Sequence, residues 1–476
     1  MDSNGKLISF YKSVVYSLVG ILCVGCTEID NSVSKTSNQF WTPPSKEINA
    51  KQKQCDKLLN SDRSSSILNG EKADLPMLIN LAFENSPSTQ RSWQSAKIAA
   101  AKSGQANSIF FPNVVVSGTA ARAEQNTPAS NTRATTFYPA IELQYSLFQF
   151  GGHKKYADAA KQLLYSANYQ HNRELQKLAH EVQTKYFMLD SAENAIEASQ
   201  RNLEDALVAY DAAFVRHQAG LSNTQDYLQA KANKTKAEYD LENAYSKLES
   251  ARAQLAKTVG ISVSNDFQIQ RSGDYSDIND FDANINELII GALQTRQDLM
   301  SQHSIVQSKK DSIKVSTSKL LPELVIGGNG NKTHYHHQSG NYDNFNIYAT
   351  LQWKLFDGFN NIYEIAESRA RARQAEYELK QLSLDIASDV WTSYHAFKSA
   401  LKELNAARNY EQAAQESFDS VVIAYKNGLS SFNDLMTSQN QLAIARNQTI
   451  ISKNHLSLSV VDLAYALGII NFDNKN

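Results

Sequence analysis

Residues 216–230 read RHQAGLSNTQDYLQA, and residues 424–438 read AYKNGLSSFNDLMTS. The same turn is written twice. Ala219-Gly220-Leu221-Ser222 returns about 208 positions later as Asn427-Gly428-Leu429-Ser430, and an aspartate follows each glycine at the same interval (Asp226, Asp434). Working outward, Phe148 returns as Phe356, Tyr186 as Tyr394, Leu255-Ala256 as Leu463-Ala464, and Val259-Gly260-Ile261 as Leu467-Gly468-Ile469. Upstream the offset grows to about 210, so that 110–116 (FFPNVVV) aligns with 320–326 (LLPELVI). A repeat this long is a supersecondary module present in two copies, and it implies a pseudo-symmetric protomer.

Each copy reads as helix, strand, strand, long helix, turn, helix. Between His153 and Arg216 there is neither proline nor glycine, and good helix formers dominate. As one helix this segment would reach about 100 Å, too long for a compact globular domain. After the first turn, Ala237, Leu241, Ala244, Leu248, Ala251 and Leu255 step in a heptad rhythm with charges off the seam. The second copy gives Ala445, Thr449, Ser452, Leu456, Ser459 and Leu463. Small residues fill one row of this seam, so two backbones can approach closely, as in a coiled coil.

The strands are read from period-two alternation. In 137–147 the odd positions Phe137, Ile141, Leu143, Tyr145 and Leu147 are apolar, whereas Glu142, Gln144 and Ser146 are polar. The counterpart sets Phe345, Ile347, Leu351, Trp353 and Leu355 against Asn346, Thr350, Gln352 and Lys354. A sheet on a soluble core gives the same alternation, but aromatics at the strand ends favour a barrel with one face in lipid. Four strands cannot close a barrel, which needs about eight. Several chains must therefore contribute, and three would supply twelve strands.

The start of the chain agrees with export. Lys6 and Lys12 form a basic region before a short apolar run, 14–25, that ends at Gly25-Cys26. The small residue before Cys26 resembles a lipobox, which marks Cys26 as a lipidation site; Cys23 departs from the pattern three positions earlier. Residues 26–73 are rich in Ser, Asn and Lys and read as an extended tether. Beyond the signal no apolar run is long enough for a transmembrane helix, so any membrane crossing falls to strands. The expected division is a signal peptide 1–25, tether 26–73, first repeat 74–272, linker 273–284, second repeat 285–470 and tail 471–476.

Charge and motifs exclude several functions. The net charge is −2 with both signs interspersed, giving no footprint for nucleic acid. A phosphate-binding glycine loop, a nucleophile elbow and a HExxH zinc helix are all missing from the sequence, so neither catalysis nor a cofactor is expected. His334, His336 and His337 cluster between two strands, in a stretch better explained by solvation than by a metal.

The quoted turns, together with SLFQFGG (146–152) and KLFDGFN (354–360), resemble those of TolC-type outer membrane efflux proteins over about Leu75 to Ile469. The resemblance implies a mainly α fold with membrane β: a homotrimer forming a twelve-stranded β-barrel continued by a long periplasmic coiled-coil tunnel. It implies a passive exit duct serving an efflux pump or type I secretion system, located in the bacterial outer membrane. Its partners would be outer-membrane lipid, a periplasmic adaptor and an inner-membrane pump or secretion ATPase. The adaptor would dock at Ala219, Gly220, Leu221, Ser222, Asn427, Gly428, Leu429 and Ser430. A periplasmic gate would use Asp434 as a constriction ring, with Tyr425 reaching Asp226. A family member carries arginine where this chain has Ser430, and a second ring aspartate where it has Thr437, so the gate here would close more weakly. Both aspartates also suit a helix N-terminus on dipole grounds alone. A structural coiled-coil tether without channel activity is the rival, though it has no use for amphipathic strands.

Overall fold

The computed structural model describes residues 34, 36–40, 72–127, 130–261, 267–271, 284–335 and 341–470. The signal peptide, Cys26, most of the tether, most of the linker, His336, His337 and the tail lie outside the described residues. The chain divides into two compact units, one formed by 1–35, 93–170 and 298–381 and the other by 36–92, 171–297 and 382–476.

Element order repeats, but two helices precede the strands of each copy where the sequence predicts one. The first copy contains α1 (Leu75–Asn85), α2 (Pro87–Asn107), β1 (Asn113–Thr127), β2 (Ser130–Phe148), α3 (Gly152–Gln218) and α4 (Thr224–Val259). The second contains α5 (Ile285–Thr295), α6 (Gln297–Ser318), β3 (Glu323–Tyr335), β4 (Asn341–Gln352), α7 (Asn360–Lys426) and α8 (Phe432–Leu467). Both α3 and α7 have 67 residues, and both α4 and α8 have 36. The second halves of the two modules therefore match in length as well as in order.

The first unit holds one antiparallel sheet ordered β1-β2-β3-β4. Its register separates two faces. On one, Val116 stands opposite Ile141, Ile141 opposite Gly330, and Gly330 opposite Phe345. One step along, Val114, Leu143, Gly328 and Ile347 make the next apolar row. On the other face Val115, Glu142, Asn329 and Asn346 form a row, followed by Asn113, Gln144, Gly327 and Tyr348. The Tyr348 ring lies over Gly327 and leaves no room for a Cβ there. One apolar and one amide-rich face is the separation expected of a barrel wall. Pro139 sits within β2 opposite Gly118, and no β2–β3 pairing involves it or Tyr138. A proline cannot donate to the ladder, and the gap falls there. The sequence underestimates β2, which begins before 137.

The second unit is helical. Near Ala73 a core forms from Leu78, Ile79, Leu175, Val182, Leu189, Leu255, Phe267 and Ile269. Ala73 bridges Ile269 in parallel, and Phe40 packs on the same core. The described pieces of the expected tether are thus docked on helices. A second core joins the four long helices through Ala213, Ala230, Phe418, Val422, Leu435, Leu442 and Ala445. The heptad seam is the buried side of α8: Ala445, Ser452, Leu456, Ser459 and Leu463 are all buried. Thr449 fits because its hydroxyl lies 3.3 Å from the Ala407 carbonyl oxygen and 3.2 Å from that of Ala445.

Candidate functional site

Both interhelical turns are built the same way. Gly220 and Gly428 have φ of 71° and 76°, a left-handed conformation that glycine adopts without a Cβ penalty. Leu221 N–H donates to the Arg216 carbonyl at 2.8 Å and Gly220 N–H to that of His217 at 3.0 Å. In the second copy Leu429 donates to Ala424 at 2.8 Å and Gly428 to Tyr425 at 3.0 Å. This paired ending is the Schellman arrangement, which satisfies carbonyls left open at a helix C-terminus.

The next helix starts within a few residues. Asn223 Oδ1 accepts from Asp226 N–H at 2.8 Å. Ser431 Oγ accepts from Asp434 N–H at 3.1 Å, while the Asp434 carboxylate accepts from Ser431 N–H at 2.9 Å, completing a capping box. Oδ2 of Asp434 also accepts from the hydroxyls of Ser431 at 2.7 Å and Ser430 at 3.1 Å. The Ser431 hydroxyl, the Ser431 N–H and the Ser430 hydroxyl hold its carboxyl below the usual carboxylate range. Within one chain Asp434 is therefore a cap, and Ser430 supports it.

The tips present apolar side chains to solvent. Leu221 is 66% exposed and Leu429 83%. Val215 and Ile423, at equivalent positions in the last turns of the preceding helices, are also exposed. Exposed apolar residues thus stand at matching places on both turns.

The two copies differ where the helices end. Arg216 occupies the position of Ala424, and His217 that of Tyr425. Arg216 Nη1 donates to the Tyr425 carbonyl at 3.0 Å, and its guanidinium lies 5.0 Å from the Tyr425 ring centre. Tyr425 is buried, and its hydroxyl has no hydrogen-bond partner among the described residues. Burial raises the phenol pKa, Arg216 opposes that shift and Asp226 adds to it. Within one chain the Tyr425 hydroxyl makes no hydrogen bond to Asp226, and it is the Tyr425 carbonyl that is tied to Arg216. His217 stacks on Tyr227 at 5.4 Å and 7° in the first turn. Sequence reasoning passed over Arg216, whose departure from the repeat was the available signal.

Among the described residues no helix is long and apolar enough to cross a membrane, and no cluster of three or more metal-ligating side chains occurs.

An antiparallel sheet with one apolar face, joined to a doubled set of very long helices, defines the chain of an outer-membrane channel. The chain belongs to the outer membrane efflux protein family, whose sequence model matches residues 78–261 and 288–469. Those two segments coincide with the two repeats. The outer-membrane channel OprN is similar in structure, with 16% identity over 83% of this chain and 89% of that one at a TM-score of 0.75. VceC from Vibrio cholerae gives 17% identity over 83% and 96%, with a TM-score of 0.74. CmeC from Campylobacter jejuni gives 18% over 83% and 85%, with a TM-score of 0.72. No curated protein matches the sequence. The protein resides in the outer membrane, and its helices extend into the periplasm.

Proposed function

We propose that three copies of this chain close a twelve-stranded barrel and that the assembly is a passive exit duct for a tripartite efflux pump or a type I secretion system. The observation that carries this reading is the sheet itself: among the described residues it has four strands, with β1 and β4 paired on one side only. Unpaired backbone groups are costly in hydrocarbon, so the sheet needs further strands at both edges. Three copies give a lumen lined by the Glu142, Asn329, Asn346 and Tyr348 face.

The turns at Ala219, Gly220, Leu221, Ser222, Asn427, Gly428, Leu429 and Ser430 serve as the adaptor dock, supported by the paired exposure of Leu221 and Leu429. Asp226, Tyr425 and Asp434 lie at the gate, with Asp434 combining its capping bonds with a carboxylate ring across three copies. Energy comes from the inner-membrane partner. Residues 1–25 act as the export signal, Cys26 carries the lipid, and the repeats span 74–272 and 285–470.

Native mass spectrometry of detergent-extracted protein combined with planar-bilayer recording tests the proposal. A trimer with step-like conductance is expected. A monomer, or a trimer that conducts nothing, would favour the coiled-coil tether.

A further inference from the structure

One groove in the helical unit is walled by carboxamides. It holds about 620 Å3 between α3, α4 and α8, all of one chain. Asn202 comes from α3, Asn233 and Asn243 from α4, and Gln439, Asn440 and Asn447 from α8. Each stands in a helix interior. Asparagine is a poor choice there, because its side chain competes for the backbone and its helix propensity is below that of Ala, Glu, Lys or Gln. Ala237, Ala244 and Ala443 also line the groove, and their short side chains leave the space between the amides open.

The repeat shows that the helical module does not need these amides. At an offset of about 208, Asn202 matches Tyr410, Asn243 matches Ile451, Asn440 matches Ala232 and Asn447 matches Tyr239. Internal pairing does not account for them either. The carboxamides of Asn243, Asn440 and Asn447 make no hydrogen bond to the protein among the described residues. Outside the groove, polar side chains of the same helices do pair, as Lys234 with Glu238, Arg252 with Glu249 and Gln448 with Ser452. Gln439 Oε1 is buried and has no hydrogen-bond partner among the described residues. A buried acceptor without a donor costs free energy, which a donating ligand would recover.

The lining selects the ligand class. A carboxamide offers an acceptor and two donors, the complement of a hydroxyl pair or an acetamido group. Among the described lining residues Ile444 is the only large apolar side chain and none is aromatic, so an apolar compound has little to bury against. Lys236 and Lys247 are opposed by Asp240, and the Asp205 carboxylate is engaged by Arg446. No cluster of one charge is left for an ion.

We propose that the groove binds a neutral saccharide bearing hydroxyl and acetamido groups, held by Asn243, Asn440, Asn447 and the Gln439 acceptor. Two sources carry that chemistry: the glycan of the cell wall, and a saccharide passing through the protein. The second source rests on the duct reading above, and the first does not.

Saturation-transfer NMR tests binding, with chitotetraose, an N-acetylglucosamine oligomer, as probe and the full chain in a detergent that has no sugar head group. Saturable binding is expected, weakened by roughly tenfold or more when Asn243→Ala, Asn440→Ala and Asn447→Ala are combined. Tm of that variant should hold or rise, because alanine is the better helix former. No saturable binding, or binding unchanged in the variant, would overturn the site. In cells, p-benzoyl-phenylalanine at Ile444, which is exposed, separates the sources. Protein retained on sacculi until muramidase digestion identifies wall glycan, and a sugar adduct recovered without digestion identifies a saccharide in transit. No sugar adduct of either kind would overturn the proposal, whereas absence of bilayer conductance in the unaltered protein would defeat only the duct reading and the second source.

Discussion

Arg216, in the last turn of α3, donates from Nη1 to the carbonyl oxygen of Tyr425, in the last turn of α7, at 3.0 Å. The bond joins the ends of the two long helices within one chain. It also places a cation at a helix C-terminus, where the dipole favours positive charge. Because the acceptor is backbone, the tie survives changes to the tyrosine ring.

Arg216→Ala should therefore loosen the pair of turns. The expected loss is about 1.5–3 kcal/mol, the range for a hydrogen bond to a charged group. Chemical denaturation would measure it, and planar-bilayer recording should show raised resting conductance. Arg216→Lys should recover part of both. Tyr425→Phe should change stability little, since its hydroxyl has no partner to lose. A large destabilisation in that variant would contradict the placement of the phenol.

Glycine is required unequally at the two turns. Alanine at either position must adopt a left-handed backbone, at a cost of about 1–2 kcal/mol. At Gly428 the new Cβ would also lie 3.3 Å from Arg216 Nη1, whereas at Gly220 nothing lies within 4 Å. Gly428→Ala should lower Tm more than Gly220→Ala, and Arg216→Ala in the same chain should shrink the difference. Equal effects in both backgrounds would count against the contact.

Docking is tested without altering the turn. Leu221→Asp combined with Leu429→Asp should abolish export while leaving Tm and membrane insertion unchanged, because both side chains are exposed. Unimpaired export would remove these residues from the dock.

Asp434 should respond to acid in a defined direction. Its bonds with Ser431 and Ser430 depress its folded pKa below 3.8. The stabilisation is thus present above 3.8 and is lost as pH falls through the lower folded value. Asp434→Ala should lower Tm at neutral pH and narrow that difference in acid. If the carboxylates also ring the passage, the same variant should reduce cation selectivity and divalent block in bilayer recordings. A lower Tm with unchanged selectivity would leave only the cap.

His171 gives a second pH signature. It is buried, its Nδ1 lies 2.8 Å from the Ser92 hydroxyl, and burial lowers its pKa from 6.5 to about 4, with the Gln39 backbone opposing. The folded state then binds fewer protons than the unfolded chain between those values. Stability should be full above pH 6.5 and fall by about 3 kcal/mol on approaching pH 4. His171→Gln should flatten this slope in denaturation curves. An unchanged slope would assign the acid sensitivity to other groups.

Much of the architecture was legible because it is stored twice. The turns at Gly220 and Gly428, the helices they join and the order of elements follow from local propensity and repetition. Strand alternation was equally local. The bulge between Ser146 and Phe148, in the pairing of β2 with β3, was not readable, since it is set by how the two strands fit. Arg216 escaped for the opposite reason: attention to what the copies share hides a residue present in only one. Asp434 was placed correctly at a helix start, but its hydrogen bonds with Ser430 and Ser431 depend on turn geometry. The docking of Phe40 and Ala73 was masked by the polar residues around them.

The one-sided pairing of β1 and β4 has a consequence for biogenesis. If three copies close the barrel as proposed, a lone chain entering the bilayer would carry two rows of unsatisfied amides into hydrocarbon, so it should wait in the periplasm until the other two arrive. Membrane entry then depends on encounter between chains, and its yield should rise more steeply than linearly with expression level. Until that encounter the sheet is an adhesive surface, and a cell making this protein slowly would need a holding chaperone to keep those edges apart.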